Sequence, residues 1–434
     1  MRINQLIIYR DFEDAGLLRD MVWLAENYRD EFYNREDLQG LFFDCMHRML
    51  EMAGRYGFYG NLWHCYLANL LVNHENSYSC AAEIAGEPEG SVNAAALHDI
   101  RIFRELYDYD FGEVAESLGV QDFDLILSYQ VGARDSRVYN TRIRDRICAL
   151  AERFGRDHTA EQMKDTLTEF YREYGVGRFG LHKAFRVERE EGRARICPIL
   201  NIAHVRLDDL VGYEIAKKKL VDNTEAFVAG RKANNCLLYG DAGTGKSSCI
   251  KAIANEYYDR GLRIIEVYKH QFQDLNDVIA QIKNRNYKFI IYMDDLSFEE
   301  FEIEYKYLKA VIEGGLEKKP ANVLIYATSN RRHLIRETFK DKADRDEELH
   351  TNDTVQEKLS LVARFGVTVY FGSPDQKQFL QIVSALAARS GIDMPEEELW
   401  RRAGQWELSH GGRSGRTAQQ FIDYLLGTEE KDKG

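Results

Sequence analysis

The stretch from Leu237 to Ser248, LLYGDAGTGKSS, has the residue types needed to hold a phosphate group. It contains the pattern G-x-x-x-x-G-K-S, and the apolar residues before it are typical of a buried strand. Glycines let the backbone approach an anion closely, and backbone N–H groups at the start of a helix attract it. Lys246 would contact the β- and γ-phosphates, and Ser247 would supply a hydroxyl to Mg²⁺. The predicted phosphate-binding residues are Gly240, Asp241, Ala242, Gly243, Thr244, Gly245, Lys246, Ser247 and Ser248.

Two carboxylates, Asp294 and Asp295, directly follow the apolar run Lys288–Met293. Mg²⁺ keeps most of its waters in proteins and takes one or two carboxylates, so Asp294 is predicted to hold the metal. Asp295 would orient or deprotonate an attacking water, although it is shorter than the usual glutamate. Glu299 or Glu300 could substitute for it. The alternative is a pair of surface aspartates that cap a turn.

Three further polar residues stand where they could contact the same phosphates. Asn330 ends an apolar run, and its amide could bind the γ-phosphate or the water; otherwise it caps a loop. Arg364 precedes another apolar run and is placed like an arginine finger, which neutralises charge in the transition state. Arg416 opens the last predicted helix and could reach the phosphates, with Arg413 as its competitor.

Continuous apolar runs that alternate with helical patterns predict the elements that position these residues. Such runs indicate a parallel sheet that is buried on both faces, here a doubly wound α/β fold with five strands. Ligands of such sheets bind at the carboxyl ends of the strands, where each polar cluster falls. The predicted strands are Cys236–Tyr239, Arg263–Val267, Lys288–Met293, Asn322–Ala327 and Val367–Phe371.

The pattern changes twice along the chain and predicts four segments. Apolar residues at helical spacing, such as Trp63, Tyr66 and Leu70, predict a helical N-terminal domain over residues 1–183. A β-hairpin or linker follows over 184–204. The α/β domain that would bind the nucleotide covers 205–372, and a helical lid covers 373–434.

These motifs together resemble those of a known class of proteins, the AAA+ ATPases. The glycine-rich stretch resembles the Walker A motif, and Asp294-Asp295 resembles Walker B. Asn330, Arg364 and Arg416 are similar to sensor 1, the arginine finger and sensor 2. The segments 209–214, 294–299 and 327–334 are also similar to a bacterial AAA+ family that is described as a domain of unknown function (DUF815-like).

The resemblance extends over about residues 205–426 and implies several properties. It implies binding of ATP and Mg²⁺, with the adenine near Val211 and Gly212, and ATP hydrolysis. It also implies a homo-oligomer in which Arg364 serves the site of the neighbouring subunit. The segment Tyr268–Phe272 lacks the aromatic-apolar-Gly signature of a loop that threads protein substrates, which disfavours a protein unfoldase.

The composition indicates a folded protein that does not span a membrane. The 434-residue chain has 44% hydrophobic residues, and its apolar runs fall short of the roughly 20 residues needed to cross a bilayer. The run Leu6–Tyr9 is too short for the core of a signal peptide. The seven cysteines lack zinc-ligand spacing and are expected to be reduced thiols. The sequence therefore predicts a cytoplasmic protein.

The charge pattern disfavours non-specific coating of nucleic acid, because the net charge is −13. Two local basic patches could still bind it, although each is more often a solvated helix face. These patches are Lys217–Lys219 and the set Arg142, Arg144 and Arg146. The charged segment 340–358 is expected to be a solvated loop.

Three functions fit these motifs. The first is an ATPase that remodels or loads a macromolecule, protein or nucleic acid, that the N-terminal domain recognises. The second is an adaptor in which bound ATP sets a conformation and hydrolysis is slow or absent, which the short Asp295 favours. The third is a DNA-associated loader or initiator-like switch, which rests on the analogy with the family alone.

Overall fold

A computed structural model describes most of the chain, and it divides the chain into two compact units, Met1–His182 and Lys183–Gly434. The predictions for Glu299, Glu300, the flank 331–334 and the segment 340–358 lie outside the described residues. The structure describes residues 2–130, 140–190, 192–200, 202–298, 303–313, 320–330 and 361–429.

The first unit is helical, as predicted. Its helices pack around one apolar core, and the apolar residues that predicted this domain, Trp63, Tyr66 and Leu70, are buried in it. The helices among the described residues are α1 (Gly16–Asn27), α2 (Arg35–Tyr56), α3 (Leu62–Asn73), α4 (Ser77–Ala85), α5 (Ser91–Asp108), α6 (Phe111–Leu118), α7 (Asp124–Leu127), α8 (Thr141–Arg156), α9 (Ala160–Tyr174) and α10 (Gly177–Leu181).

A buried carboxylate on α5 fixes the N-terminal segment to this core. Asp99 is fully buried, and its oxygens accept the backbone N–H groups of Ile7, Ile8 and Tyr9 at 2.7–3.1 Å. A buried charge is tolerated when several donors surround it, so the three amides and the carboxylate satisfy one another.

The second unit is built on a mostly parallel sheet, and the predicted doubly wound α/β class is confirmed. The described residues form seven strands rather than five, because the predicted hairpin joins the sheet: β1 pairs with β2 antiparallel and with β4 parallel. The order is β2-β1-β4-β5-β6-β3-β7. The strands are β1 (Ala184–Glu190), β2 (Arg193–Pro198), β3 (Cys236–Gly240), β4 (Leu262–Glu266), β5 (Lys288–Met293), β6 (Val323–Ser329) and β7 (Val367–Phe371).

The register brings the carboxyl ends of three neighbouring strands to one edge of the sheet. Met293 of β5 lies beside Ala327 of β6, and Ser329 of β6 lies beside Tyr239 of β3. The residues that follow these strands therefore meet at that edge.

Helices flank the sheet, and the last three form a bundle with its own apolar core. The described helices of this unit are α11 (Glu214–Val228), α12 (Lys246–Tyr257), α13 (Leu275–Ile282), α14 (Glu304–Glu313), α15 (Gln376–Arg389), α16 (Glu396–Ser409) and α17 (Gly415–Glu429).

The sequence Ser373-Pro374 has the pattern of an N-cap followed by a first helical residue, but α15 begins later, at Gln376. The N-cap is Asp375, whose side chain accepts from the backbone N–H of Gln378 at 2.8 Å. Ser373 is used elsewhere, because its N–H and hydroxyl both donate to the carboxylate of Asp241.

None of the described helices combines the length and the low polarity that a membrane crossing requires. The seven cysteines form no disulfide bond in the described part of the chain, and five of them are buried.

Candidate functional site

The glycine-rich turn between β3 and α12 needs glycine at its first residue. Gly240 has a φ of 136°, and a Cβ there would lie 2.0 Å from the carbonyl oxygen of Phe371 on β7. Gly245 has a φ of 92° and precedes α12, which begins at Lys246. The turn therefore joins the strand directly to a helix N-terminus, as the motif requires.

We expect Gly240→Ala to destabilise the second unit by more than about 2 kcal/mol beyond the ordinary left-handed penalty, because the new methyl overlaps a backbone carbonyl of a neighbouring strand. Denaturant unfolding of the variant measures this. Gly230→Ala is the control, since Gly230 has a φ of 74° and open space around its Cβ position. Equal losses in the two variants would contradict the expected overlap.

Lys246 is a buried cation whose partners are neutral oxygens. Its residue is 6% exposed. The ammonium donates to the carbonyl oxygens of Gly240 (2.9 Å) and Asp241 (2.6 Å) and to the Oδ1 of Asn330 (3.0 Å). These three acceptors satisfy its three donors but leave its charge uncompensated by direct contact.

The electrostatics of Lys246 reflect this position. Burial lowers the pKa of its ammonium, and the nearby carboxylates of Asp241, Asp295 and Asp294 oppose that effect. Arg416 lowers the pKa further because it is a like charge. An anion placed at this ammonium would favour its charged form.

Asp294 accepts hydrogen bonds from three hydroxyl groups at the end of β5. Its Oδ1 receives Ser247 Oγ at 2.7 Å, Tyr292 Oη at 2.6 Å and Thr328 Oγ1 at 2.6 Å. Burial acts to raise the pKa of Asp294, but the hydrogen bonds from these hydroxyls outweigh it and the pKa is lowered. Asp294 therefore stays an anion and lies against Ser247.

Thr328 links the end of β5 to β6. It is 1% exposed, and its Oγ1 accepts the backbone N–H of Asp295 at 2.9 Å while it donates to Asp294. Asp295 has a φ of 48°, and the next N–H, of Leu296, returns to the Thr328 carbonyl at 2.7 Å. These bonds hold the left-handed turn that directs Asp295 away from the strand.

Asn330 connects the two halves of the site. Its Oδ1 accepts from Lys246, and its Nδ2 donates to the Oδ1 of Asp295 at 2.7 Å. The lysine after β3, the aspartates after β5 and the asparagine after β6 thus form one continuous polar network.

Arg416 lies against the glycine-rich turn, and Arg413 does not. The backbone N–H of Arg416 donates to the Gly243 carbonyl at 3.2 Å, and a Cβ on Gly243 would lie 3.0 Å from the Arg416 Cβ. Arg413 is paired with Glu407 at 2.8 Å on the lid. Of the two candidates, Arg416 is the one beside the phosphate loop.

Arg364 contacts a different carboxylate from those of the site. Its guanidinium forms an ion pair with Glu313 at the end of α14, and its Nη1 is buried and has no hydrogen-bond partner among the described residues. The structure therefore groups Lys246, Ser247, Asp294, Asp295 and Asn330 in one network, and Arg364 is bound elsewhere on the same chain.

The segment predicted to hold adenine lies between the sheet and the lid. Val211 packs against the lid core, and Gly212 has a φ of 81° with open space at its Cβ position. Tyr213 donates its hydroxyl to the Gly372 carbonyl at 2.8 Å, and burial raises the pKa of this phenol to about 12. The two hydrogen bonds from Ser373 to Asp241 tie the turn to the same junction.

The remaining turn residues have simpler roles. Thr244 donates its hydroxyl to the Asp241 carbonyl at 2.8 Å, which closes the turn. Ala242 is exposed, and Ser248 is half-buried in the first turn of α12.

Four residues that contribute hydrogen bonds to the site were not predicted from the sequence: Tyr292, Thr328, Tyr213 and Ser373. A signal existed for Tyr292, because residues two apart in a strand share a face and Tyr292 precedes Asp294 by two. The contacts of Thr328 and Ser373 depend on which strands are neighbours, which the sequence pattern does not specify.

Comparison with known proteins identifies the family. Residues 180–429, more than half of the chain, match the family described as "Protein of unknown function (DUF815)". The chain belongs to this DUF815 family. The resemblance to AAA+ ATPases is confirmed with it, and the DUF815 match covers the whole sheet and the lid.

Replication proteins are similar to parts of this family member. The replication factor C large subunit of Staphylothermus marinus is 35% identical over 85 residues, 19% of this chain and 19% of that protein. The chromosomal replication initiator protein DnaA of Borrelia garinii subsp. bavariensis is 26% identical over 178 residues, 39% of this chain and 33% of that protein. The chain thus spans a fifth to a third of the length of these relatives. The matches support a general nucleotide-binding role of the AAA+ kind.

Among solved structures, the Thermotoga maritima RuvB Holliday junction branch migration motor is 14% identical, with a TM-score of 0.33, over 51% of this chain and 72% of that chain.

Proposed function

We propose that this chain is an AAA+ ATPase that binds Mg²⁺–ATP between the phosphate loop and the lid and hydrolyses it at an interface between identical subunits. The cycle would remodel or load a macromolecular partner that the first unit recognises. The observation that carries the proposal is the network of Lys246, Asn330, Asp295, Ser247 and Asp294 at one edge of the sheet.

Lys246 supports the binding of an anion at this place. A buried ammonium that contacts only neutral oxygens gains Coulomb energy from a negative ligand more than an exposed one would. The N-terminus of α12 lies at the same point and adds its own positive potential. The β- and γ-phosphates of ATP supply the matching charge.

The chemistry of the donors fits a magnesium ion. Ser247 and Asp294 offer a hydroxyl and a carboxylate oxygen, which are hard ligands, and the described residues contain no cluster of three metal-binding side chains. Mg²⁺ commonly takes one or two protein oxygens and completes its shell with water and phosphate. When bound, the ion would neutralise charge on the phosphate oxygens. Tyr292 and Thr328 would keep Asp294 ionised and oriented toward it.

Asp295 and Asn330 would act on the attacking water. Asp295 would accept its proton or orient it, and Asn330 would hold Asp295 and contact the γ-phosphate. Lys246 and Arg416 would stabilise the charge that develops on the phosphoryl oxygens. Residues Val211 and Gly212 would receive the adenine.

Arg364 would complete the site of a neighbouring subunit. Its pairing with Glu313 shows that the guanidinium can hold an anionic oxygen. This supports an oligomer in which the γ-phosphate of ATP bound to the neighbouring subunit competes with Glu313 for the guanidinium of Arg364. The lack of a disulfide bond among the seven described cysteines supports a reducing compartment, the cytoplasm of a bacterium.

The adaptor with slow hydrolysis is the second candidate, and a specific observation favours it. Asp295 is one methylene shorter than glutamate and is held by Asn330 and by its left-handed backbone, which limits its reach. A single-turnover assay with labelled ATP separates the two functions. An ATPase releases phosphate within seconds to minutes, whereas an adaptor retains ATP for hours.

We expect Asp295→Asn to keep ATP bound while it lowers the single-turnover rate by about 10²- to 10⁴-fold, because the amide can still accept from Asn330 but cannot take a proton. Rapid-quench measurement of phosphate release, beside the affinity for labelled ATP, checks both parts. Asp277→Asn, on α13, is a control with the same chemical change. An unchanged single-turnover rate in Asp295→Asn would show that another residue orients or deprotonates the attacking water.

A further inference from the structure

The second residue of the phosphate loop, Asp241, carries a negative charge beside the place where an anion is proposed to bind. Its backbone groups bond to neighbours: the N–H donates to the Phe371 carbonyl at 2.9 Å, and the carbonyl accepts from Lys246 at 2.6 Å. Among the carboxylates that oppose the lowering of the Lys246 pKa, Asp241 has the largest influence. A carboxylate that attracts this ammonium would also repel phosphate groups bound to it.

The carboxylate of Asp241 is held by a residue of the connection between the sheet and the lid. Its Oδ2 accepts both the backbone N–H of Ser373 at 2.7 Å and the Ser373 hydroxyl at 2.8 Å. The pKa of Asp241 is lowered, first by these two hydrogen bonds and to a smaller extent by Lys246, so the group remains an anion. Two donors on one oxygen fix the direction of this side chain.

Ser373 lies in a short connection whose backbone is constrained on both sides. The connection follows β7, which ends at Phe371, and precedes α15, which begins at Gln376. The carbonyl of Gly372 accepts the Tyr213 hydroxyl at 2.8 Å, and the ring of Pro374 fixes its own φ. The residue that holds Asp241 is therefore itself positioned by the junction between the sheet and the lid.

The lid contacts the phosphate loop at a second point. The backbone N–H of Arg416 donates to the Gly243 carbonyl at 3.2 Å, and a Cβ on Gly243 would lie 3.0 Å from the hydroxyl oxygen of Ser414. Asp241 and Gly243 of the loop are thus bonded to the connection and to the lid, respectively. A change in the position of the lid would act on both contacts.

We propose that Ser373 is a positioning residue that keeps the carboxylate of Asp241 directed toward the lid junction and away from the phosphates of a bound nucleotide. The inference rests on the proposed binding of ATP at this loop and adds a means of regulating that site. While the contact is intact, the phosphates meet only the loop N–H groups and Lys246. When it is lost, the carboxylate can turn toward these anions and weaken their binding. Nucleotide affinity then depends on the position of the lid.

Charge is the expected basis of this effect, and packing is not. Asp241 and Ser373 are both exposed, so the loss of one hydroxyl removes little buried surface. Exposed charges interact through water and dissolved ions, so added salt should reduce the repulsion between the carboxylate and the phosphates. A purely structural role of Ser373 would weaken nucleotide binding whether or not residue 241 carries a charge. The two roles can therefore be separated by removing the charge.

The test is a double-mutant cycle in which isothermal titration measures the affinity of the full chain for ATP with Mg²⁺ at about 50 mM salt. Ser373→Ala should weaken binding about five- to tenfold, because its hydroxyl no longer holds the carboxylate. Asp241→Ala should tighten binding about twofold, because a negative charge beside the phosphates is removed. Adding Ser373→Ala to Asp241→Ala should then change the affinity by less than about twofold.

Two further variants show whether the hydroxyl of Ser373 is the group that matters. Ser373→Thr retains a hydroxyl and should bind ATP like the wild type. Ser409→Ala is the matched control, because Ser409 ends α16 and its hydroxyl bonds to the Gln405 carbonyl of the same helix. Its removal should leave the affinity unchanged. Raising the salt to about 500 mM should reduce the loss in Ser373→Ala to about twofold, which a structural defect would not do.

The possible results separate this inference from the proposed function. Wild-type affinity in Ser373→Ala would overturn the role of Ser373, and so would an equal loss from Ser373→Ala in the presence and absence of the Asp241 carboxylate. In both cases the wild-type protein still binds ATP, so the proposed function would stand. Failure of the wild-type protein to bind ATP would refute the phosphate site and, with it, the role of Ser373.

Discussion

Lys246→Ala is expected to weaken ATP binding by at least about 100-fold. The variant loses a charge-assisted contact with each of two phosphates, and contacts of this kind contribute about 1.5–3 kcal/mol each. In the free protein the change also removes three hydrogen bonds to neutral oxygens, which the turn can replace with water. Isothermal titration with ATP and Mg²⁺ measures the effect, which should appear in the affinity before any catalytic step.

Lys251→Ala controls for the loss of one lysine from α12. Lys251 lies on the exposed face of that helix, one and a half turns after Lys246, so its removal should leave the affinity within about twofold. Thermal unfolding shows whether both variants remain folded. A Lys246→Ala protein that binds ATP like the wild type would refute the proposed phosphate site.

Arg364→Ala is expected to lower ATP turnover about 10³-fold and to leave ATP affinity unchanged, because an arginine finger acts on charge that appears only in the transition state. Steady-state phosphate release and nucleotide titration measure the two quantities. Arg260→Ala is the matched control, since Arg260 also pairs with a glutamate, Glu225, at 2.7 Å. Wild-type turnover in Arg364→Ala would show that the assignment is wrong.

Mixing the two inactive variants tests whether Arg364 acts between subunits. In a mixed oligomer, a Lys246→Ala subunit still donates its Arg364 to an Arg364→Ala neighbour, whose phosphate loop is intact. Part of the turnover should therefore return on mixing, and neither variant alone should regain it. Failure to complement in an oligomer shown to exchange subunits would place the finger within its own chain.

The sequence predicted the central architecture because two local rules suffice for it. Long apolar runs separated by helical patterns favour a parallel sheet covered by helices, and polar clusters that follow such runs then gather at one edge. In the structure Asp294 lies against Ser247, and Asn330 accepts from Lys246. The glycine motif also predicted the turn between strand and helix, because few residues other than glycine tolerate the φ of Gly240.

Other features depend on contacts between distant segments and could not be predicted. The sequence pattern of the hairpin is the same whether the hairpin only links two domains or its first strand pairs with β4. Thr328 bonds to Asp294 and Asp295 only because β6 lies beside β5. Ser373-Pro374 has the sequence of a helix start, yet Ser373 binds Asp241 and the cap shifts to Asp375. In each case tertiary contacts outweighed local preference.

The position of β6 has a consequence for how this protein tolerates change. Thr328, near its end, holds the aspartates of β5, and Asn330, just past it, holds the lysine beside β3. Side chains alternate along a strand, so a one-residue deletion or insertion within β6 would turn both residues to the opposite face at once. Such length changes should therefore be excluded from β6 during evolution, whereas single substitutions can impair one half of the network and spare the other.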